Sequence, residues 1–166
     1  MEMRHGVNEE PVMHRSFMPE LMVAAGLATL LASTPAAAQF AKPEDAIRYR
    51  QAGMTMMNVH LGRVFAMASG RVPFDAKAVA DNAEVATLIS KLPYAGFIEG
   101  SDKGDTKAEP KIWTEMDKFR AAAAKMQEEM TKLNAAAKTG NVDAIKAAVG
   151  ATAQACKACH DSYRKE

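Results

Sequence analysis

The sequence predicts an all-α protein, an antiparallel four-helix bundle. Four amphipathic segments separated by Pro- and Gly-containing breaks, and no run with strand alternation, point to that architecture. Composition agrees: the apolar residues are dominated by Ala and Met, and aromatics make up only 6% of the chain. Ala, Met, Lys and Glu carry little helix penalty, so such a chain favours helices over sheet.

The first helix follows Lys42-Pro43-Glu44-Asp45, with proline in the first turn and two acids at the positive end of the helix dipole. Ile47, Met54, Met57, Leu61, Val64, Phe65 and Ala68 fall close to one stripe of a 3.6-residue repeat. Gly70 and Pro73 end it. The second helix starts behind Asp75, a candidate N-cap, and is expected to run to Leu92, with Val79, Ala86, Leu88, Ile89 and Leu92 facing inward. Pro93 stops it. Between Pro93 and Lys111 lies a connection rich in Gly, Asp and Lys, a length that in a small bundle often serves function. The third helix has the cleanest pattern. Ile112, Met116, Phe119, Ala123, Met126, Met130, Leu133 and Ala137 alternate spacings of four and three, an a/d seam. Thr139-Gly140-Asn141 breaks the chain, and the fourth helix is expected over 142–164, with Ile145, Ala148, Val149, Thr152, Cys156 and Tyr163 along one side.

Residues 1–38 are expected to lie outside this bundle. Leu21–Ala32 is a short apolar run preceded by His14 and Arg15 and followed by Ala36-Ala37-Ala38, an A-x-A cleavage pattern before Gln39. Such a core is too short to span a bilayer comfortably and reads as a cleaved secretory signal. Glu9 and Glu10 are unusual ahead of such a run, which makes Met13 and Met18 candidate start sites. The expected domains are therefore a signal peptide over 1–38 and the bundle over 39–166, exported to the periplasm and free of the membrane after cleavage. The formal net charge of +1 gives no basic stripe for nucleic acid.

The chain's two cysteines are Cys156 and Cys159, and His160 follows at once: Cys-Lys-Ala-Cys-His. On a helix, residues three and four apart share a face. Both thiols can therefore meet the two vinyl groups along one edge of a porphyrin, while the next residue brings its imidazole under the iron. C-x-x-C-H reads as covalent c-type haem attachment, one haem per chain. A thioredoxin-like pair would need a βαβ context, and structural zinc would need four ligands, of which His60 and acids would have to supply the deficit. A plain disulfide suits an exported protein but leaves the histidine without a role. With the motif so near the C-terminus, any second iron ligand must come from earlier in the chain. Met54 and Met57 lie on the inward stripe of the first helix, whereas His60 points elsewhere; the other methionines read as core filling.

Taken together, Lys42-Pro-Glu-Asp-Ala-Ile-Arg-Tyr-Arg50-Gln51, Phe74-Asp75, Pro110-x-Ile112-Trp113 and Cys156-Lys-Ala-Cys-His160-Asp-Ser-Tyr-Arg164-Lys resemble the class II c-type cytochromes, specifically the cytochrome c′ family. The resemblance covers residues 39–166. It implies a haem inside the bundle near the C-terminal helix, His160 as proximal ligand, and Arg164 as a cation one turn later. It further implies Arg50 and Gln51 near the haem propionates, Phe97 and Phe119 as apolar haem neighbours, and Met54 shielding a vacant sixth position. The iron would be five-coordinate and high-spin, binding small neutral gases such as NO and CO or carrying single electrons to an unknown redox partner. The protein would be no enzyme, and would be a homodimer pairing through its first two helices. Two features depart from the family pattern: the 93–111 connection is slightly longer, and Tyr94 stands where tryptophan is common. Two other functional readings stay open, a low-spin electron carrier with Met54 as sixth ligand and a zinc-binding helical bundle.

Overall fold

The computed structural model describes residues 39–166; the expected signal peptide lies outside the described residues. Four long helices form the bundle: α1 (Pro43–Ala68), α2 (Ala76–Ile89), α4 (Met116–Thr139) and α5 (Val142–Tyr163), with α3 (Lys111–Thr114) a single turn ahead of α4. A 3-10 turn, Pro93–Gly96, opens the long connection. Each helix packs on two others, α1 on α2 and α5, and α4 on α2 and α5, which closes a four-cornered ring. Contacts along α2 and α4 run in opposite order. Lys138 pairs with Glu84, Thr87 donates to the Met130 carbonyl, and Gln127 donates to the Ser90 carbonyl. The two helices are therefore antiparallel, and so are α4 and α5, where Thr152 meets Glu129 and Tyr163 meets Phe119.

Local chemistry sets the ends. The Asp75 carboxylate accepts from the Ala78 N–H at 3.0 Å, and Asn141 accepts from Ala144 N–H at 3.0 Å, so α2 and α5 each start behind a side-chain cap. Gly140 takes φ +67° and ends α4 with its N–H on the Ala137 carbonyl, a left-handed cap that a side chain would strain. The core follows the expected seam. Phe119, Ala123, Met126, Met130, Leu133 and Ala137 of α4 are all buried, and Met116 is half-buried. Met126, Met130, Leu133 and Ala137 share one core cluster with Leu61 and Val64 of α1, Val79 and Ala83 of α2, and Ile145 of α5.

Two expectations are corrected. α2 ends at Ile89, so Leu88 and Leu92 face solvent at 64% and 49% exposure instead of the core. The Ser90 N–H bonds the Ala86 carbonyl, and the chain then turns toward Pro93, whose ring cannot continue a helix. The third helix is also not continuous from Ile112. Glu115 leaves helical geometry at φ −124°, ψ 35°, because the indole N–H of Trp113 is held by the Ile98 carbonyl at 2.9 Å. The α3 turn is therefore tied to the long connection through Trp113.

The packing sets two magnitudes. Leu133→Ala, at a site 1% exposed, should lower the unfolding free energy by about 2–5 kcal/mol. Asp75→Ala, which removes only a cap, should cost about 1 kcal/mol. Urea unfolding of the two variants beside the parent protein measures both.

Candidate haem site

The last turns of α5 carry Cys156, Cys159 and His160 at positions i, i+3 and i+4, so helical geometry alone puts them on one side of the helix. Both cysteines are free thiols and half-buried, while His160 is exposed. Burial pushes both thiols above the ordinary cysteine range, and the neighbouring Cys156 adds to the effect at Cys159. The His160 imidazole is held below its usual value, first by desolvation and then by the Arg164 cation, with Asp161 opposing. Arg164 thus stands close enough to bias the imidazole, and its N–H bonds the His160 carbonyl at 3.0 Å.

The surface opposite the thiols is built from two clusters. Cys156 packs with Met54, Tyr94 and Val149 against the main core. Cys159 packs with Tyr94, Phe97, Trp113 and Met116 against a second cluster of Ala108, Ile112, Phe119 and Tyr163. This second cluster holds the chain's single tryptophan and two of its three tyrosines. Ring centroids lie 4.6 Å apart for Phe97–Phe119, 5.3 Å for Phe119–Tyr163 and 5.7 Å for Tyr94–Phe119. Tyr94 belongs to both clusters, and burial, followed by the two thiols, raises its phenol above the usual range.

Arg50 lies on α1, one turn before Met54, and is only 3% exposed. Its guanidinium donates to the Gly96 carbonyl (2.7 Å), Ser101 Oγ (2.8 Å), the Ser101 carbonyl (2.7 Å) and Thr106 Oγ1 (2.7 Å). It also sits 4.6 Å from the Phe97 ring centroid and 5.7 Å from that of Trp113. Every acceptor is a neutral oxygen. Burial alone lowers its pKa to about 10, so the group remains charged at neutral pH without a carboxylate partner among the described residues. Gly96 allows this approach, since a Cβ there would meet the Ala46 carbonyl oxygen at 2.6 Å.

The structure therefore brings together Cys156, Cys159, Met54, Phe97 and Phe119 with Arg50 at the margin. Gln51 is exposed and donates to the Asp105 carbonyl at 2.8 Å, outside the aromatic cluster. His60 is engaged across to Asn82 of α2 at 2.8 Å. Sequence reasoning missed Tyr94 as a neighbour of both thiols, and it missed Ser101 and Thr106 as partners of Arg50. No periodicity marks them, because they lie in the long connection.

A family model, Cytochrome C′, matches residues 45–164. The chain belongs to the cytochrome c′ family. Cytochrome c′ of Rubrivivax gelatinosus is 50% identical over 129 residues, covering 77% of this chain and all of the relative. That of Alcaligenes xylosoxydans xylosoxydans is 44% identical over 128 residues, covering 77% and 99%. The crystal structure of the Rubrivivax gelatinosus protein superposes with a TM-score of 0.74 over 76% of this chain and all of that one, at 50% identity. A nitric oxide complex of a variant of cytochrome c prime from Alcaligenes xylosoxidans gives a TM-score of 0.72 at 42% identity, over 76% and 98%. Cytochromes c′ carry covalently attached haem c, and haem c is the cofactor of this chain. The residues present fit such a group. Two unpaired thiols share one helix face with an imidazole, an aromatic and thioether lining stands nearby, and a buried cation lacks a carboxylate. Among the described residues no cluster of three or more His, Cys, Asp or Glu is placed to hold a metal ion, so a zinc site has no donor set there.

Phe119 ties the aromatic cluster together. Phe119→Ala should cost about 3–5 kcal/mol of stability and reduce the near-ultraviolet circular dichroism of the surrounding rings, both measurable on the purified protein.

Proposed function

We propose that this chain is an exported, periplasmic c-type cytochrome whose one haem is joined to Cys156 and Cys159, with His160 as its axial iron ligand. The observation that carries this reading is the placement of two free thiols and an imidazole on one side of the last turns of α5, against an aromatic and thioether lining. When bound, the haem supplies a redox-active iron able to take up a small neutral ligand.

The chain's own residues then decide which of these properties is used. Desolvation first, and then the Arg164 cation, disfavour protonation of His160 and so favour the neutral imidazole that can ligate. Met54, half-buried on the neighbouring helix α1, packs on the same core cluster as Cys156. Together with Phe97 and Phe119 it provides an apolar shield with no charged donor of its own, which suits NO and CO and disfavours anions. Arg50 and Gln51 mark the propionate side. All four Nη hydrogens of Arg50 are committed to protein oxygens, so its contribution there is a buried positive charge and its Nε–H, not a bidentate grip. The role proposed is gas binding and single-electron transfer with a five-coordinate, high-spin iron.

We also place a homodimer contact on α1 and α2. Met56 and Val59 of α1 and Val72 beyond its end are 53%, 46% and 45% exposed. Val59 and Val72 line an apolar hollow with Gly62, Ala66, Met67 and Ala78. Val59→Glu should convert the dimer to a monomer by sedimentation analysis while leaving the haem spectrum unaltered.

Optical spectroscopy tests the main reading. Broad high-spin bands that shift on adding CO to the reduced protein are expected, and Met54→Leu should leave the spin state unchanged. A low-spin spectrum with a sulfur-to-iron charge-transfer band in the oxidised form, lost in Met54→Leu, would establish Met54 as a sixth ligand instead. A colourless protein would sink the haem reading altogether.

A further inference from the structure

The last turn of α5, like any helix terminus, would fray if nothing tied it down. Here it is held from outside. The Glu109 N–H donates to the Tyr163 carbonyl at 3.0 Å and the Lys165 N–H donates to the Lys107 carbonyl at 2.8 Å, forming a short antiparallel bridge between Ala108 and Arg164. Among the described residues these are the backbone hydrogen bonds that join the end of α5 to another segment. The bridge is only as firm as the connection that supplies its other half, and residues 99–105 of that connection are mostly exposed; Ser101 is the buried exception.

What pins the connection is Arg50. Two of its four hydrogen bonds go to Ser101, one to Gly96 and one to Thr106 Oγ1, which also accepts from the Ala108 N–H at 3.1 Å. Phe97 and Trp113 lie against the guanidinium, and the Trp113 indole N–H closes back on Ile98. A path of hydrogen bonds linked by short stretches of backbone therefore runs from α1 to Thr106 and Ala108, on through the neighbouring Lys107 and Glu109 to Lys165 and Tyr163, between which Arg164 bonds the His160 carbonyl through its N–H.

We propose that Arg50 is a positioning residue for the His160 imidazole, acting through the 96–109 connection and its bridge to the chain end. The inference rests on His160 being the iron ligand, and it gives α1 two separate influences on the iron. Met54 would act as the apolar shield of the proposed site, whereas Arg50 acts on His160 through a strap that need not touch the haem. A buried guanidinium satisfied by four neutral oxygens in fixed directions suits this role, because its planar fork orients every acceptor at once. A lysine, with a single nitrogen, cannot reproduce the arrangement.

The test compares the holoprotein with its Arg50→Met, Arg50→Lys and Thr106→Val variants. Hydrogen–deuterium exchange is followed in fragments covering 105–111 and 160–166. The iron–histidine stretching band of the ferrous protein is followed by resonance Raman spectroscopy. Arg50→Met should speed exchange in both fragments by roughly tenfold or more while fragments from the middle of α4 keep their protection, and should shift or broaden the iron–histidine band. Thr106→Val, a connection residue away from the thiols, should move both readouts in the same direction, and Arg50→Lys should not restore the parent values. Unchanged exchange at 160–166 in Arg50→Met and Thr106→Val would overturn the proposal, as would faster exchange with an unmoved iron–histidine band. If Arg50→Met does not accumulate, Thr106→Val alone decides by the same two criteria. Absence of any haem signal would instead defeat the proposed function, while the exchange measurement would still show whether the strap exists.

Discussion

The helical repeat of α5 is the constraint on which the rest of the molecule turns. Cys156, Cys159 and His160 share one side of that helix because they are three and four residues apart. A haem held by the two thiols would be attached along this side of α5. The apolar surroundings of the two thiols come from other helices and from the long connection. Met54 of α1, Tyr94 and Phe97 of the long connection and Phe119 of α4 converge on the same end of the bundle.

The two ends of the bundle are consequently built from different materials. Toward the α4–α5 turn, the core is Leu, Val, Ile, Met and Ala packed along a regular seam, where small residues such as Ala83, Ala86 and Ala137 let helices approach closely. Toward the cysteines, aromatic rings replace the aliphatics, and a 3-10 turn, a single α-helical turn and a short backbone bridge replace regular helix packing. Rings bring large apolar area with few rotatable bonds, so they build a firm wall where helices alone would leave a gap. Burying Arg50 in that wall carries a desolvation penalty, visible in its lowered pKa, and four short hydrogen bonds offset it.

Much of this was legible in the sequence, and the reasons are physical. The α4 seam from Phe119 to Ala137 is legible because its alternating four-and-three spacing marks one buried stripe, which the short neighbouring connections turn into a bundle and not a solitary coiled coil. Asp75 was read as a cap because short polar side chains compete for free helix N–H groups. The Cys-Lys-Ala-Cys-His spacing carried the cofactor, since on a helix it puts both thiols and the imidazole on one side. Leu88 and Leu92 were misplaced because apolar character cannot locate the last turn of a helix, which Ser90 and Pro93 settle instead. The break at Glu115 depends on Trp113 reaching Ile98, and the burial of Arg50 depends on Ser101 and Thr106, all through contacts distant in sequence. An arginine on an otherwise regular helical stripe gives no sign that a loop will fold over it.

The central claim is that Cys156 and Cys159 hold the haem covalently on α5. Mass spectrometry of a C-terminal fragment containing residues 142–166, released from denatured protein, tests it most directly. The account predicts that this fragment carries the added mass of one haem and that neither cysteine can be alkylated. A fragment of unmodified mass whose two cysteines both alkylate, in protein matured in an export-competent host, would contradict it.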